Sequence, residues 1–232
     1  MLKKLSTIIP AVIALGIIAC CNVSITQIVA GKGAYFGISN ILMPAIAAIG
    51  GLAGSLCMIA FIGIKIFSGK LLVTKGIPTV AAIYSAQCTT PSMRSRLINI
   101  LVPLTMMIMF ATHAVGGSAW TYSLFWLIPM CCEVLRHCGV NSLFTRLLAA
   151  TFVAHAIGSV MWLYCMPTTP ETWLGLLAVV PAERLVFASG ATIAAILLMK
   201  AAQALRSAAR TKASTSRGKN SLSSQSSGEI NH

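Results

Sequence analysis

One long uncharged stretch constrains this chain more than any other feature. Residues 38–67 carry no charged side chain until Lys65. As an α-helix rising about 1.5 Å per residue, this stretch is long enough to cross a hydrocarbon core about 30 Å thick. The chain as a whole is 57% hydrophobic and 9% charged, whereas soluble domains average about 25% charged residues. We therefore predict an all-α integral membrane protein.

Further apolar runs predict the other crossings. Six helices are expected, at residues 5–29, 38–67, 97–112, 120–132, 147–164 and 173–199. Residues 77–89 are also apolar, but a run of about thirteen residues suits a short re-entrant or interfacial segment better than a full crossing. If Gly50 and Gly51 separate two crossings and residues 77–89 also span, the count is eight. The predicted fold is a six-helix bundle, with eight spans as the alternative.

Basic residues next to the apolar runs predict how the chain lies in the membrane. Loops that stay in the cytoplasm are rich in lysine and arginine. This rule predicts a multi-pass protein of the cell (inner or plasma) membrane with both termini in the cytoplasm. The basic residues used as cytoplasmic markers are Lys3, Lys4, Lys65, Lys70, Lys75, Arg94, Arg96, Arg136 and Arg146. The rule also accounts for the net charge of +13, so we expect the lipid bilayer and no nucleic acid as a partner.

The composition changes near residue 207. Before that point the chain reads as one polytopic membrane domain, residues 1–206. After it, serine, lysine and arginine dominate and apolar residues become rare. Segments of this composition cannot bury enough apolar surface to fold. We predict that residues 207–232 form a disordered, basic, serine-rich cytoplasmic tail.

Motifs for catalysis, nucleotides or metals are weak or absent in the sequence. The chain has no aspartate, no GxSxG and no HExxH. The run GIKIFSGK departs from a P-loop in the spacing of its glycines and in Leu71, which follows the run where a P-loop has serine or threonine. The run CCEVLRHC, which ends at Cys138, offers thiols and an imidazole, but adjacent cysteines point apart and no second CxxC-type pair follows. We therefore predict a non-enzymatic protein without a cofactor or metal.

Small residues in the first long stretch predict close helix packing. Gly50 and Gly54 form a GxxxG pair, and Gly51 belongs to a parallel row of small residues. Such spacing lets two helices approach backbone to backbone within lipid. We predict that Gly50, Gly51 and Gly54 are helix-packing residues, and that the Gly50-Gly51 pair bends or breaks the helix.

Polar residues deep in predicted spans are the main candidates for function, because such groups are costly in a membrane. Thr151, His155, Ser159 and Trp162 share one helical face. They could line a ligand cavity, or form a hydrogen-bond cluster between helices. Glu183 lies about ten residues into the last predicted helix, near the midplane. We expect its carboxylate to face the interior, near His155 or a bound solute.

Arg184 follows Glu183 directly in the sequence. Neighbouring residues on a helix do not face each other. We therefore expect the two charges to find separate partners. A structural polar network is the alternative to a solute-binding role for both.

Aromatic residues gather near the predicted outer ends of the helices. Trp120, Tyr122 and Trp126 lie at one end, and Tyr164 and Trp173 at another. Aromatic side chains are enriched at membrane interfaces, and they also form stacking walls for ligands. The sequence leaves both interpretations open.

The run that contains Phe36, Ser39, Asn40 and Pro44, followed by the small residues 47–55, resembles the second and third segments of the S components of energy-coupling factor (ECF) transporters. These are the substrate-binding membrane subunits that capture vitamins and similar micronutrients. Six helices with both termini inside also match the S-component layout. An Ala-xxx-Ala pattern often found on helix 1 of that family is missing, and Gly16-xxx-Cys20 is the nearest spacing.

The resemblance implies a function and a set of partners. It implies a solute site near the outer face, and a transmembrane coupling subunit with ATPase subunits in other chains. By position, it implies that the substrate-binding residues are Tyr35, Phe36, Asn40, Trp120, His155, Ser159, Trp162 and Glu183. Two alternatives stay open: a stand-alone small secondary transporter with a proton relay through Glu183 and His155, and a membrane assembly or structural protein.

Overall fold

The computed structural model describes residues 24–26, 36–37, 39–67, 69 and 73–226, and its architecture there is essentially all-helical. Two short strands, β1 (Ser24–Thr26) and β2 (Phe36–Gly37), pair antiparallel. The helices are α1 (Ser39–Phe67), α2 (Val73–Ala86), α3 (Met93–Thr112), α4 (Ala114–Ser118), a 3₁₀ helix (Trp120–Trp126), α5 (Leu127–His137), α6 (Leu143–Cys165), α7 (Pro170–Gly175) and α8 (Val179–Ser226).

Three of the described helices are long and apolar enough to cross a membrane: Met93–Thr112, Leu143–Cys165 and the first part of α8, Val179–Ala204. These correspond to the apolar runs predicted at 97–112, 147–164 and 173–199. Shorter apolar helices are Ile41–Leu52, Gly54–Phe67 and Gly76–Ala86. The predicted crossing at 120–132 is divided between the 3₁₀ helix and α5.

Helix α1 folds back on itself at Gly51. This residue has φ 55° and ψ −145°, a conformation that is essentially restricted to glycine. Beyond the break, a Cβ on Gly54 would lie 3.2 Å from the carbonyl oxygen of Ile46. Eight residues of straight helix would separate these positions by about 12 Å along the axis. The long stretch is therefore two half-helices packed against each other.

The three glycines of this stretch have different roles. Gly54 is buried and is the packing residue, because its missing side chain lets the second half-helix approach the backbone of the first. A Cβ on Gly50 or Gly51 would meet nothing within 4 Å. The predicted break at Gly50-Gly51 is confirmed, whereas the predicted packing role applies to Gly54 alone among the three.

Helix α2 runs antiparallel to α6. Pro78, near the start of α2, lies against Gly158, and the carbonyl of Ala86 at its end accepts a hydrogen bond from Arg146. Residues 77–89 were expected to form a short re-entrant or interfacial segment. A short apolar helix, Gly76–Ala86, lies there, and its place in the membrane stays a prediction. The chain also reverses at Gly51. The break was visible in the sequence, but the direction of the chain beyond it was not.

The basic residues at the two ends of α2 do not mark one face of the molecule. The side chain of Ile66, next to Lys65, lies against Gly76 near the start of α2. Arg94 follows the other end of the same helix. Fourteen residues of helix separate these ends by roughly 20 Å. Lys65 and Arg94 therefore lie near opposite ends of α2, and their assignment to one side of the membrane stays a prediction, like the sidedness of the termini.

Helix α3 contains a π-helical turn at Leu97–Leu101. Pro103 explains its position, because a proline has no N–H to donate to the carbonyl four residues earlier, at Asn99, and its ring crowds that carbonyl. At this turn the N–H of Val102 bonds the carbonyl of Leu97, five residues back. Such turns are frequent at functional sites, and this one contains the buried side chain of Asn99.

Two apolar clusters form the core. The first joins both halves of α1 to α2, α6 and α8, around Ile46, Met58 and Ile83. The second lies around Phe110, Tyr122 and Trp126. Helix α8 contributes to both clusters, with Val180 in the second and Ala191 and Ala195 in the first. The segment of α8 between these residues carries Glu183 and Arg184.

Two predicted elements differ from the structure. Residues 24–26 form strand β1 rather than the end of a first helix, and two of its three residues, Ile25 and Thr26, are β-branched and favour strands; residues 5–23 of that predicted helix lie outside the described residues. Helix α8 continues to Ser226, through most of the segment expected to be disordered. Alanine, lysine and arginine are frequent just before and after residue 207, and they are good helix formers. The division into two domains stays a prediction.

Candidate functional site

Four buried aromatic side chains from three elements meet in what we call the aromatic cluster. Phe110 comes from α3, Tyr122 and Trp126 from the 3₁₀ helix and Trp173 from α7. The ring centroid of Phe110 lies 5.6 Å from that of Tyr122, 5.4 Å from that of Trp126 and 5.1 Å from that of Trp173. Most of these pairs meet edge to face, a favourable geometry for aromatic rings. The cluster is therefore a closely packed group of rings in the core.

The predicted polar stripe of α6 adjoins this cluster. The hydroxyl of Tyr122 lies 2.9 Å from Nε2 of His155 and 3.4 Å from Oγ of Ser159. The ring of Trp162 lies 5.7 Å from that of Trp173. Thr151, the fourth member of the stripe, bonds a carbonyl of its own helix instead. The structure therefore brings three of the four residues to the aromatic cluster.

Glu183 and Arg184 form an ion pair, so the prediction of separate partners is wrong. Nη2 of Arg184 lies 2.7 Å from Oε2 of Glu183, and both side chains are buried. The guanidinium also lies 4.7 Å from the ring centroid of Phe187. The long side chain of arginine bends back to its neighbour, although the Cα–Cβ directions diverge. Spacing rules for helices describe Cβ positions and do not limit so flexible a chain.

The pair leaves one carboxylate oxygen unused. Within the described part of the chain, Oε1 of Glu183 is buried without a hydrogen-bond partner. Val180, one turn earlier on α8, is buried in the second apolar cluster, and the charges of Glu183 and Arg184 act electrostatically on Tyr122. Nε1 of Trp126 is also buried without a partner there. Among the described residues, Oε1 of Glu183 is thus an acceptor and Nε1 of Trp126 a donor without a hydrogen-bond partner. Buried groups of this kind are costly unless something pairs with them.

Other predicted site residues do not join this region or cannot be assigned to it. Trp120 is 54% exposed and belongs to neither core cluster. Tyr35 and the side chains of Phe36 and Asn40 lie outside the described residues. Of the aromatic residues with two open interpretations, Tyr122, Trp126 and Trp173 are buried in the cluster, whereas Tyr164 is exposed like Trp120.

A second buried polar network, which we did not predict, lies at the opposite end of the bundle. Oε1 of Glu133 accepts a 2.6 Å hydrogen bond from Ser95, and Oε2 accepts a 3.2 Å bond from Asn99. Asn99 in turn accepts a 2.6 Å bond from Ser85. Arg136 pairs with Oε2 of Glu133. This carboxylate network ties α2, α3 and α5 together.

A local signal for this network was present in the run CCEVLRHC. Glu133, Arg136 and His137 have the i, i+3 and i, i+4 spacing that favours ion pairs along a helix. The structure has both contacts, with Nε2 of His137 3.6 Å from Oε1 of Glu133. Among the described residues, no group of three or more histidine, cysteine, aspartate or glutamate side chains is arranged to hold a metal.

Comparisons with known proteins found no match: no family model, no curated protein and no solved structure matches the chain.

Proposed function

We propose that this protein is a membrane subunit that binds a small solute beside the aromatic cluster. The observation that carries the proposal is the buried Oε1 of Glu183, which has no hydrogen-bond partner in the described residues. It lies in a helix long and apolar enough to cross a membrane. An ionisable group at such a position marks a solute or ion pathway more often than a purely structural contact.

The chemistry of the region defines the solute class. Oε1 of Glu183 accepts a hydrogen bond, so the solute carries a hydroxyl, amide or ammonium donor. Nε1 of Trp126 donates, so an acceptor on the solute satisfies it. The ring of Trp162, which packs on Trp173 and is only partly buried, offers flat apolar surface to the remainder of the solute. A vitamin-like micronutrient with a ring and a few polar groups fits these requirements.

We further propose that the protein works as the S component of an ECF-type importer. The sequence resemblance supports this assignment, together with the apolar helices. A coupling subunit and ATPases in other chains would drive uptake. The solute would enter at the end of the bundle that holds the aromatic cluster. The opposite end, which carries Arg94, Arg96, Arg136 and Arg146, would face the cytoplasm.

One observation favours a second candidate, a membrane assembly or structural protein. The hydroxyl of Tyr122 already bonds both His155 and Ser159, which is the arrangement expected of a hydrogen-bond cluster between helices. In that case the polar stripe holds helices together and binds no solute.

Purification of the detergent-extracted protein with mass spectrometry of its partners and ligands tests the proposal. A co-purifying small molecule together with ATPase subunits is the expected result. A small molecule with proton-coupled flux from the chain alone would identify the secondary transporter. A stable protein partner without any small molecule would contradict solute binding and favour the structural role.

A further inference from the structure

Four arginines, which we call the arginine cluster, lie at the end of the bundle that holds the carboxylate network. They are Arg94 and Arg96 on α3, Arg136 on α5 and Arg146 on α6. Arg146 donates a 3.5 Å hydrogen bond to the carbonyl of Ala86, and Cys88, two residues later, interacts electrostatically with Arg136, Arg94 and Arg146. The ends of α2 and α5 and the starts of α3 and α6 therefore bring these charges close together.

Positive charge exceeds negative charge in this cluster. Glu133 is the acid that pairs there, with Arg136. The other acids in the described residues, Glu171 and Glu183, lie on α7 and in the first turns of α8. Arg136 and Arg146 repel each other. One carboxylate cannot balance four guanidinium groups, so the cluster has an excess of positive charge.

Arg136 provides a second, independent observation. Its side chain is about 2% exposed, and its Nη1 donates to Glu133. Its Nε is buried and has no hydrogen-bond partner among the described residues. A buried N–H on a cation that stays unpaired is costly. The guanidinium therefore has donor capacity that Glu133 does not use.

We propose that the arginine cluster binds a phosphate-bearing anion between Arg94, Arg136 and Arg146, beside Cys88. Guanidinium groups match phosphate oxygens in geometry and bind them through paired N–H donors. The carboxylate network holds Arg136 in place through Glu133, whose second oxygen is fixed by Ser95. The phosphate belongs either to the headgroup of an anionic lipid or to a soluble molecule. This site is separate from the solute site proposed above and does not depend on it.

Binding to the purified full-length protein in neutral detergent tests the proposal. Two probes are titrated at constant ionic strength: inorganic phosphate against chloride, and phosphatidylglycerol against phosphatidylcholine in mixed micelles. Native mass spectrometry counts bound lipid, and thermal unfolding reports stabilisation by either probe. We expect at least one probe to bind. Arg146→Gln should weaken that binding about tenfold, since it removes a charge-assisted hydrogen bond.

Two further variants make the result decisive. Arg94→Gln should also weaken binding. The side chain of Arg94 is exposed, so we expect this change to leave the fold intact. Lys65→Gln removes a positive charge at the end of α1, near the start of α2 and away from the arginine cluster, and should leave binding unchanged. Binding of phosphatidylglycerol alone identifies a lipid headgroup, and binding of phosphate identifies a soluble anion. If neither probe binds, or if Arg94→Gln and Arg146→Gln both bind as the wild type does, the proposal is overturned.

Discussion

Nη2 of Arg184 lies 2.7 Å from Oε2 of Glu183, so two adjacent residues of one helix neutralise each other within the bundle. The pairing occupies one carboxylate oxygen and leaves Oε1 without a hydrogen-bond partner among the described residues. The free oxygen of this carboxylate can still accept a hydrogen bond. The pair therefore permits a charged group in an apolar helix and keeps part of it available for a ligand.

The hydroxyl of Tyr122 is the link between the aromatic cluster and α6. Tyr122→Phe removes its bonds to His155 and Ser159 and leaves buried polar groups unpaired. We expect the free energy of unfolding to fall by about 1–3 kcal/mol, measured by denaturant unfolding in detergent. Tyr164→Phe is the matched control, because that hydroxyl is exposed and bonds a carbonyl. Equal effects of the two changes would show that the link to α6 does not stabilise the bundle.

The break in α1 depends on Gly51 and not on Gly50. Gly51→Ala places a side chain on a residue with φ 55° and ψ −145°, which costs about 1–3 kcal/mol. Gly50→Ala introduces a Cβ with nothing within 4 Å and a helical backbone, and should change stability little. Thermal unfolding of the two variants measures the difference. The account of the half-helices fails if Gly50→Ala is the more destabilising change.

The carboxylate network should show strong coupling between Glu133 and Arg136. Arg136→Met leaves the carboxylate of Glu133 buried without its cation, and removal of one partner of such a pair costs roughly 3–5 kcal/mol. Adding Glu133→Gln should restore much of the loss. A double-mutant cycle on unfolding free energies measures the coupling. Additive effects of the two changes would mean that the ion pair contributes nothing.

The pKa of the Cys88 thiol depends on the charges around it. Burial is the main cause that raises the pKa of its thiol, while Arg136, Arg94 and Arg146 act in the opposite direction. A raised pKa keeps the thiol protonated at neutral pH, so maleimide labelling of a variant with Cys88 as its single cysteine should need more alkaline pH than an ordinary thiol.

The same labelling experiment separates charge from burial. Arg146→Gln removes a cation that favours the thiolate and should shift the labelling profile of Cys88 to still higher pH. Lys65→Gln, at the end of α1 and near the start of α2, should leave the profile unchanged. A shift toward lower pH with Arg146→Gln would contradict the position of Arg146 beside the thiol.

Apolar runs predicted the long helices well because length and hydropathy are local properties. The helices Leu143–Cys165 and Met93–Thr112 end close to the predicted limits. The same information could not give the direction of the chain after Gly51, since a glycine pair permits a bend, a break or a reversal. Tertiary contacts decided among these possibilities, above all the approach of Gly54 to Ile46.

The site was predicted only in part for a related physical reason. His155, Ser159 and Trp162 were found from their shared helical face, which is again a local pattern. The partner that joins the first two is Tyr122, more than thirty residues away in sequence. Glu133 draws its partners Ser95 and Asn99 from another helix. No periodic pattern along one segment encodes such contacts.

Native mass spectrometry of the detergent-extracted protein tests the central claim most directly. The measurement compares the bound small-molecule mass on the wild type, on Glu183→Gln and on Glu171→Gln, a matched change at an exposed carboxylate. The account predicts that the wild type and Glu171→Gln carry the same small molecule, and that Glu183→Gln, folded by thermal unfolding, has lost it. A small molecule retained by Glu183→Gln, or absent from all three proteins, would contradict solute binding at Glu183.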